Sequence, residues 1–192
     1  MLAYVFSHWR QRDVSASDYE ERQRGFHAAL AAAPASGSLR SFSVALSGAP
    51  WAAGAADSYE DWYLIEDYAA LGVLEHSAIS AARAEPHAAA ASVAAGGVAG
   101  VYGLRIGTSV ETPRHAIWFR KPDGLPYAEL LLQLTSLVEA AGASLWMRKL
   151  SLGPALEFCV HAHEPLTLPD PFVSMTLPLR QVWPPPSEAT GG

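Results

Sequence analysis

One cysteine in 192 residues, Cys159, rules out an intrachain disulfide and a cysteine-based zinc site. Such a chain suits a reducing compartment, and a cytoplasmic protein is expected. Charge is scarce too. Only 17% of residues are charged, the net charge is −6 and the 13 basic residues are scattered. Nucleic-acid and anionic-membrane surfaces need basic patches, so neither partner is expected. The start, "MLAYVFSHWR", lacks a basic opening and has only six apolar residues before its first polar ones, which is too short for a secretory signal. The longest apolar stretches are Ala-rich and interrupted, well short of a membrane span. There is no Walker loop and no G-x-S-x-G elbow. "GGVAGVYG" follows a helical stretch and leads into a strand, the reverse of a dinucleotide-binding turn.

What remains is half hydrophobic, enough for a sizeable core. "LAYVFSHW" reads as a strand. "SASDYEERQRGFHAALAAAP" reads as a helix, with Ser17 and Glu20 as its capping box, Tyr19, Phe26, Leu30 and Ala33 along one stripe, and Pro34 at its end. Two strands follow, "SLRSFSVALSG" and "SYEDWYLIE". Asp67 caps a second helix that Pro86 breaks or restarts and that ends at the Gly96–Gly97 pair. "VAGVYGLRIG" is a fourth strand, completing the order β-α-β-β-α-β.

Near Thr108–Arg114 the pattern restarts. "RHAIWFRK" is a strand, "DGLPYAELLLQLTSLVEAAG" an amphipathic helix with Pro126 near its start and Gly142 at its end, and "ASLWMRKLSL", "ALEFCVHAH" and "VSMTLPLRQVW" are strands. A Gly-Pro turn separates the second and third of these strands. The halves align strand by strand: "AYVF" with "AIWF", "SLRSFSVALSG" with "SLWMRKLSLGP", "DWYLIED" with "EFCVHAH" and "VYGLR" with "TLPLR". This predicts an internal duplication. Three prolines in "EPLTLPDPFV" forbid a last helix in the second copy.

A βαββαβ unit is the ferredoxin-like motif, an antiparallel sheet with helices on one face. The expected fold is therefore α+β: two tandem ferredoxin-like repeats packed as an α/β barrel. The first repeat spans 1–109, the shortened second 110–184, and 185–192 form a disordered tail. On these strand matches the chain resembles the dimeric α/β-barrel superfamily in its fused, two-repeat form. That group includes antibiotic-biosynthesis-type monooxygenases, stress-responsive barrel proteins, muconolactone isomerase-like proteins and haem-binding chlorite dismutase relatives. The resemblance implies a barrel that binds a small organic molecule, anionic or aromatic, as a cofactor-independent oxygenase, isomerase or decarboxylase. A non-catalytic dimerisation barrel and a haem-binding barrel are the alternatives it leaves open. His8, His76, His87 or His161 would serve as the axial ligand of a haem.

Side chains alternate along a strand, so each strand offers two faces. One set, including Tyr4, Phe6, Trp62, Leu64, Tyr102, Leu104, Phe158, Val160, Leu177 and Leu179, is expected against the helices. The other set is more polar and would line the barrel. It brings Arg105, Arg120 and Arg180 towards Asp61, Tyr63, Glu157, His161 and His163 as a ligand-binding lining, with Arg105 and Arg180 in equivalent positions. Arg148 does not fit, because the repeat aligns it with Phe42. His161 and His163 share one strand face, with Glu157 as a third donor, yet no second cluster completes a metal site, and none is expected. Trp51, in a Gly/Ala-rich loop, is a lid candidate. The missing helix would leave a sheet face bare near 164–174, which predicts a homodimer.

Overall fold

The computed structural model describes residues 1–52, 57–151 and 156–185. Its elements are β1 (Leu2–Arg10), α1 (Ala16–Ala32), β2 (Ser38–Leu46), β3 (Ser58–Ile65), α2 (Tyr68–Ala78), α3 (Ala84–Ala91) and β4 (Ala94–Gly107) in the first part. Then come β5 (His115–Phe119), α4 (Tyr127–Ala140), β6 (Ser144–Ser151), β7 (Phe158–Ala162), β8 (Ser174–Pro178) and β9 (Arg180–Trp183). The expected Gly153–Pro154 turn and the tail from 186 onwards lie outside the described residues.

All strand pairs are antiparallel, and one sheet runs β8-β5-β7-β6-β4-β1-β3-β2-β9. Its two edges, β8 and β9, are consecutive in the chain, separated only by Leu179. One bent segment therefore pairs with β5 at one end and β2 at the other, and the sheet curls into a nearly closed barrel. The amide of Leu179 donates to the Arg114 carbonyl at 2.7 Å, holding the bend against the start of β5.

The barrel is filled rather than hollowed at its centre. Phe42, Trp62, Tyr102, Trp118, Trp146 and Leu177, drawn from six strands, share one buried apolar cluster. Trp51 belongs to it as well. It is 5% exposed with its ring 4.9 Å from that of Trp118, so it is a core residue and not a lid. Outside the barrel, α1, α2 and α3 cover β1 and β3 through Phe26, Leu30, Tyr63, Ile65 and Leu74. On the other half, α4 covers β5 and β7 through Leu130, Leu134 and Val138.

Several local expectations shift. The N-cap of α1 is Ser15, whose hydroxyl accepts from the Asp18 amide at 3.1 Å, and not Ser17. Asp67 does cap α2, accepting from the Ala70 amide at 2.9 Å. Gly96 and Gly97 do not end a helix; they lie inside β4. The rings of Trp9 and Phe6 press on their backbones there, leaving no room for a Cβ.

The ladder also corrects the register of the strand matches. Relative to the first strand of each half, Ala3 faces Leu64 and Ala116 faces His161. By position Leu64 therefore corresponds to His161, and Trp62 to Cys159, one residue away from the sequence match. A one-residue slip moves every side chain to the other face. Trp62 and Leu64 consequently pack inside the barrel, not against helices, while Asp61 and Tyr63 lie on the helix side; Tyr102, Leu104, Leu177 and Leu179, whose match is in register, also pack inside the barrel and not against helices. The β2 and β6 match slips by two, which keeps the face. Phe42 pairs with Trp62 as Trp146 pairs with Cys159, so Trp146, not Arg148, holds the Phe42 position.

The segment 163–173 contains no helix, yet it leaves no face bare. Leu166, Leu168 and Phe172 pack into the core beneath α4, and the Phe172 ring meets Phe119 edge-on at 5.5 Å. The chain's own loop thus covers the face for which a second copy was expected. Leu168 is 6% exposed, and Leu168→Ala should lower the unfolding free energy by about 2 kcal/mol, read from urea denaturation. An unchanged midpoint would mean that this loop does not seal the core.

Candidate functional site

Alternation places Tyr4, Phe6 and His8 of β1 and Tyr59, Asp61 and Tyr63 of β3 on the sheet face beneath α1. From above, α1 lowers Tyr19, Gln23 and His27 onto them at i, i+4 and i+8, one stripe of the helix. His8, His27 and Tyr63 meet at Asp61, which is 2% exposed. One carboxylate oxygen lies 3.2 Å from His8 Nε2 and the other 3.2 Å from His27 Nε2. The Tyr63 hydroxyl donates to Asp61 at 3.0 Å. His8 Nδ1 is 2.5 Å from the Tyr19 hydroxyl, and His27 Nδ1 is 2.8 Å from the Ser41 hydroxyl. Both histidines are at most 1% exposed. His27 stacks on Tyr63 with centroids 5.4 Å apart, and His8 stacks on Tyr59 at 5.8 Å.

Burial alone would raise the Asp61 carboxyl, but His8 and His27 hold it well below the usual carboxylate range. Burial raises the Tyr63 hydroxyl well above its ordinary value, and the adjacent Asp61 raises it further. Burial and then Asp61 likewise raise Tyr19. The centre is thus a buried anion framed by two imidazoles and two neutral phenols.

This centre opens on a cavity of about 430 Å³ between the sheet and α1, α2 and α3. Asp61, Tyr63, Tyr19 and Gln23 form its polar end; Tyr4, Phe6, Phe26, Leu71, Leu74 and Ala90 form its apolar walls. The volume falls in the range of small-molecule sites. A second cavity of about 400 Å³ shares Tyr63 and Leu74 as walls and extends past Ser41 to Trp183.

The sequence-derived lining is divided by this geometry. Asp61 and Tyr63 do come together. His161 lies on the opposite sheet face, inside the barrel, with its ring 4.3 Å from that of Trp62. Burial, then the charge of Arg40, lowers His161 to about 3, so it stays neutral. β7 ends at Ala162, so His163 lies beyond the strand and is exposed. Glu157 is half-buried and accepts from the Tyr127 hydroxyl. Arg105 and Arg120 are exposed. Arg180, 59% exposed, pairs with Glu20 on α1, on the helix side of the sheet. Inside the barrel a guanidinium would lose its hydration among the packed Phe42, Trp62, Trp118 and Trp146 rings; the three arginines lie at the surface instead. Among the described residues no group of three or more His, Cys, Asp and Glu could hold a metal ion.

Sequence reasoning missed His27 as a partner of Asp61 and Gln23 as a partner of Tyr19, and considered His8 only as an axial ligand. The signal was present: Gln23 and His27 are polar residues on a stripe otherwise built of Tyr19, Phe26 and Leu30.

The chain is similar in fold to an anthrone oxidase-like protein. The match has a TM-score of 0.51 and 10% identity, and it covers 95% of this chain and 93% of that one. No family model and no curated protein matches the sequence. At this identity the likeness establishes the α+β barrel fold alone. No helix among the described residues is long and apolar enough to cross a membrane.

Proposed function

We propose that the protein binds an aromatic small molecule in the cavity between the sheet and α1–α3, with Asp61 accepting a hydrogen bond from it. The observation that carries this reading is the placement of Asp61. An ionised, 2% exposed carboxylate backed by His8 and His27 forms the floor of a cavity walled by aromatic rings. A buried carboxylate exacts a desolvation cost that only a partner or a function offsets. The reaction classes to test are cofactor-independent oxygenation and isomerisation; both begin by removing an acidic proton, and a carboxylate held this far below its usual range orients the ligand rather than taking that proton. The name of the fold neighbour, anthrone oxidase-like protein, makes anthrone the first substrate to try.

The test combines binding and turnover. Ala90 is 5% exposed on the cavity wall, and Ala90→Trp fills the space without touching Asp61. Purified protein should bind 2-naphthol, seen as a change in the probe's own fluorescence, and Ala90→Trp should abolish the change. Anthrone with dissolved oxygen should give anthraquinone and water faster than buffer alone, and His27→Ala should slow this by about 100-fold. Equal binding by wild type and Ala90→Trp would remove the cavity from consideration.

The same reading takes the chain as one ferredoxin-like unit written twice, residues 1–109 and 110–184. Two runs of the sheet support it: β4-β1-β3-β2 and β8-β5-β7-β6 carry equivalent strands in the same order. In each half the fourth strand also pairs with the second strand of the other, β4 with β6 and β9 with β2. Only the first half has helices over its fourth-strand connection, so only that half encloses the cavity over Asp61.

A further inference from the structure

We infer that this cavity prefers a positively charged ligand over a neutral or anionic one of the same shape: a protonated amine carried on an aromatic or other apolar body. The inference rests on the cavity being a binding site and names the class of molecule it takes. Five aromatic side chains line it, Tyr4, Phe6, Tyr19, Phe26 and Tyr63. Their ring faces carry negative electrostatic potential, which favours a cation over a neutral group of equal size. Two carboxylates line it at different depths. Asp61 is buried at the floor, and Glu75 is exposed on α2 at the rim.

Among the described lining residues there is no Lys and no Arg; His87, its ring 5.2 Å from that of Phe26, is the one basic side chain. His8 and His27 stand behind Asp61 and hold it in place, so their nitrogens are spent on Asp61, Tyr19 and Ser41. An anion would therefore meet two carboxylates and aromatic side chains with no guanidinium or ammonium to receive it. An ammonium would meet Asp61, the Tyr19 and Tyr63 hydroxyls and the aromatic side chains of the wall. The overall charge of −6 adds a field that draws cations towards the protein.

The cavity, of about 430 Å³, has room for a two- or three-ring body with a short amine arm. The Ala90 and Leu74 walls suit the rings, and the polar end at Asp61 and Gln23 suits the amine, which has several N–H donors to satisfy.

The experiment uses three matched probes that differ only in charge: 2-naphthylmethylammonium, 2-naphthylmethanol and 2-naphthoate. Each is titrated into the full-length protein by calorimetry at low salt. The ammonium should bind at least about ten-fold more tightly than the alcohol, and the carboxylate about ten-fold more weakly than the alcohol or not at all. Glu75→Gln, at an exposed helix position that leaves the core untouched, should cut the ammonium's advantage by about three-fold and leave the alcohol unchanged. Ala90→Trp should abolish binding of all three. If the alcohol binds and is lost in Ala90→Trp while the ammonium is no tighter, the charge inference is overturned and the cavity reading stands. If Ala90→Trp leaves the ammonium's affinity intact, the cation sits elsewhere and the inference is overturned as well. If no probe binds the wild type, the cavity reading itself falls and takes the inference with it.

Discussion

Asp61→Asn is expected to lower the unfolding free energy by about 3–5 kcal/mol at pH 7. The substitution keeps the shape and removes the charge that His8 and His27 face at 3.2 Å from either side. Both imidazoles, and the Tyr63 hydroxyl that donates to the same carboxylate, are buried groups then left without their anionic partner. The pH dependence separates charge from packing. The folded carboxyl lies well below its ordinary value of 3.8, so its contribution is complete above that value and is lost as pH falls through the folded one. The gap between wild type and Asp61→Asn should therefore be constant from about pH 5 to 7 and shrink below about pH 4. Urea unfolding at several pH values measures it. A gap of equal size at pH 3 and pH 7 would show that the carboxylate's charge is not what stabilises this layer.

The strands were legible because their alternation and turn residues are local properties. The helices were legible from the stripe in α1 and from the Asp67 cap of α2. The sidedness of β3 was not. All eight of its residues, Ser58 to Ile65, are buried, because the barrel core covers one face and α1 and α2 the other. Hydrophobic alternation reports a face only where the other one is wet. With that signal gone, the match between the halves slipped by one residue, and the slip put Trp62 outside and Asp61 inside. In β5 and β7 the faces were read correctly: Ile117, Phe119, Phe158 and Val160 face α4, while Trp118 and Cys159 face the barrel. The candidate site suffered from a second obstacle. Asp61 and Tyr63 share a strand and could be grouped from sequence, but His8 and His27 reach them from 53 and 34 positions away, and only the crossing of α1 over β1 and β3 brings them together.

The residue beside Asp61 should respond to pH in the opposite sense. Glu60 points into the barrel, where its carboxyl accepts from Ser7 at 3.3 Å and from the Trp62 indole at 3.2 Å. Those two donors and His8 pull its pKa down, but burial outweighs them and pushes it up to about 7. A raised value means the neutral form suits the fold. Its contribution is complete below about pH 4.5 and is lost as pH rises through about 7, a swing of about 3 kcal/mol at 1.36 kcal/mol per pH unit. Glu60→Gln removes the titration. It also leaves either Ser7 or Trp62 facing an amide N–H instead of an acceptor, which costs about 1 kcal/mol. The variant should therefore be less stable than wild type by about 1 kcal/mol at pH 4.5 and more stable by about 2 kcal/mol at pH 8.5, with the curves crossing in between. Paired urea denaturations across that range check it. Parallel curves that never cross would mean that Glu60 stays neutral throughout, or is ionised and satisfied throughout, and the barrel interior would then exert no pull on its proton.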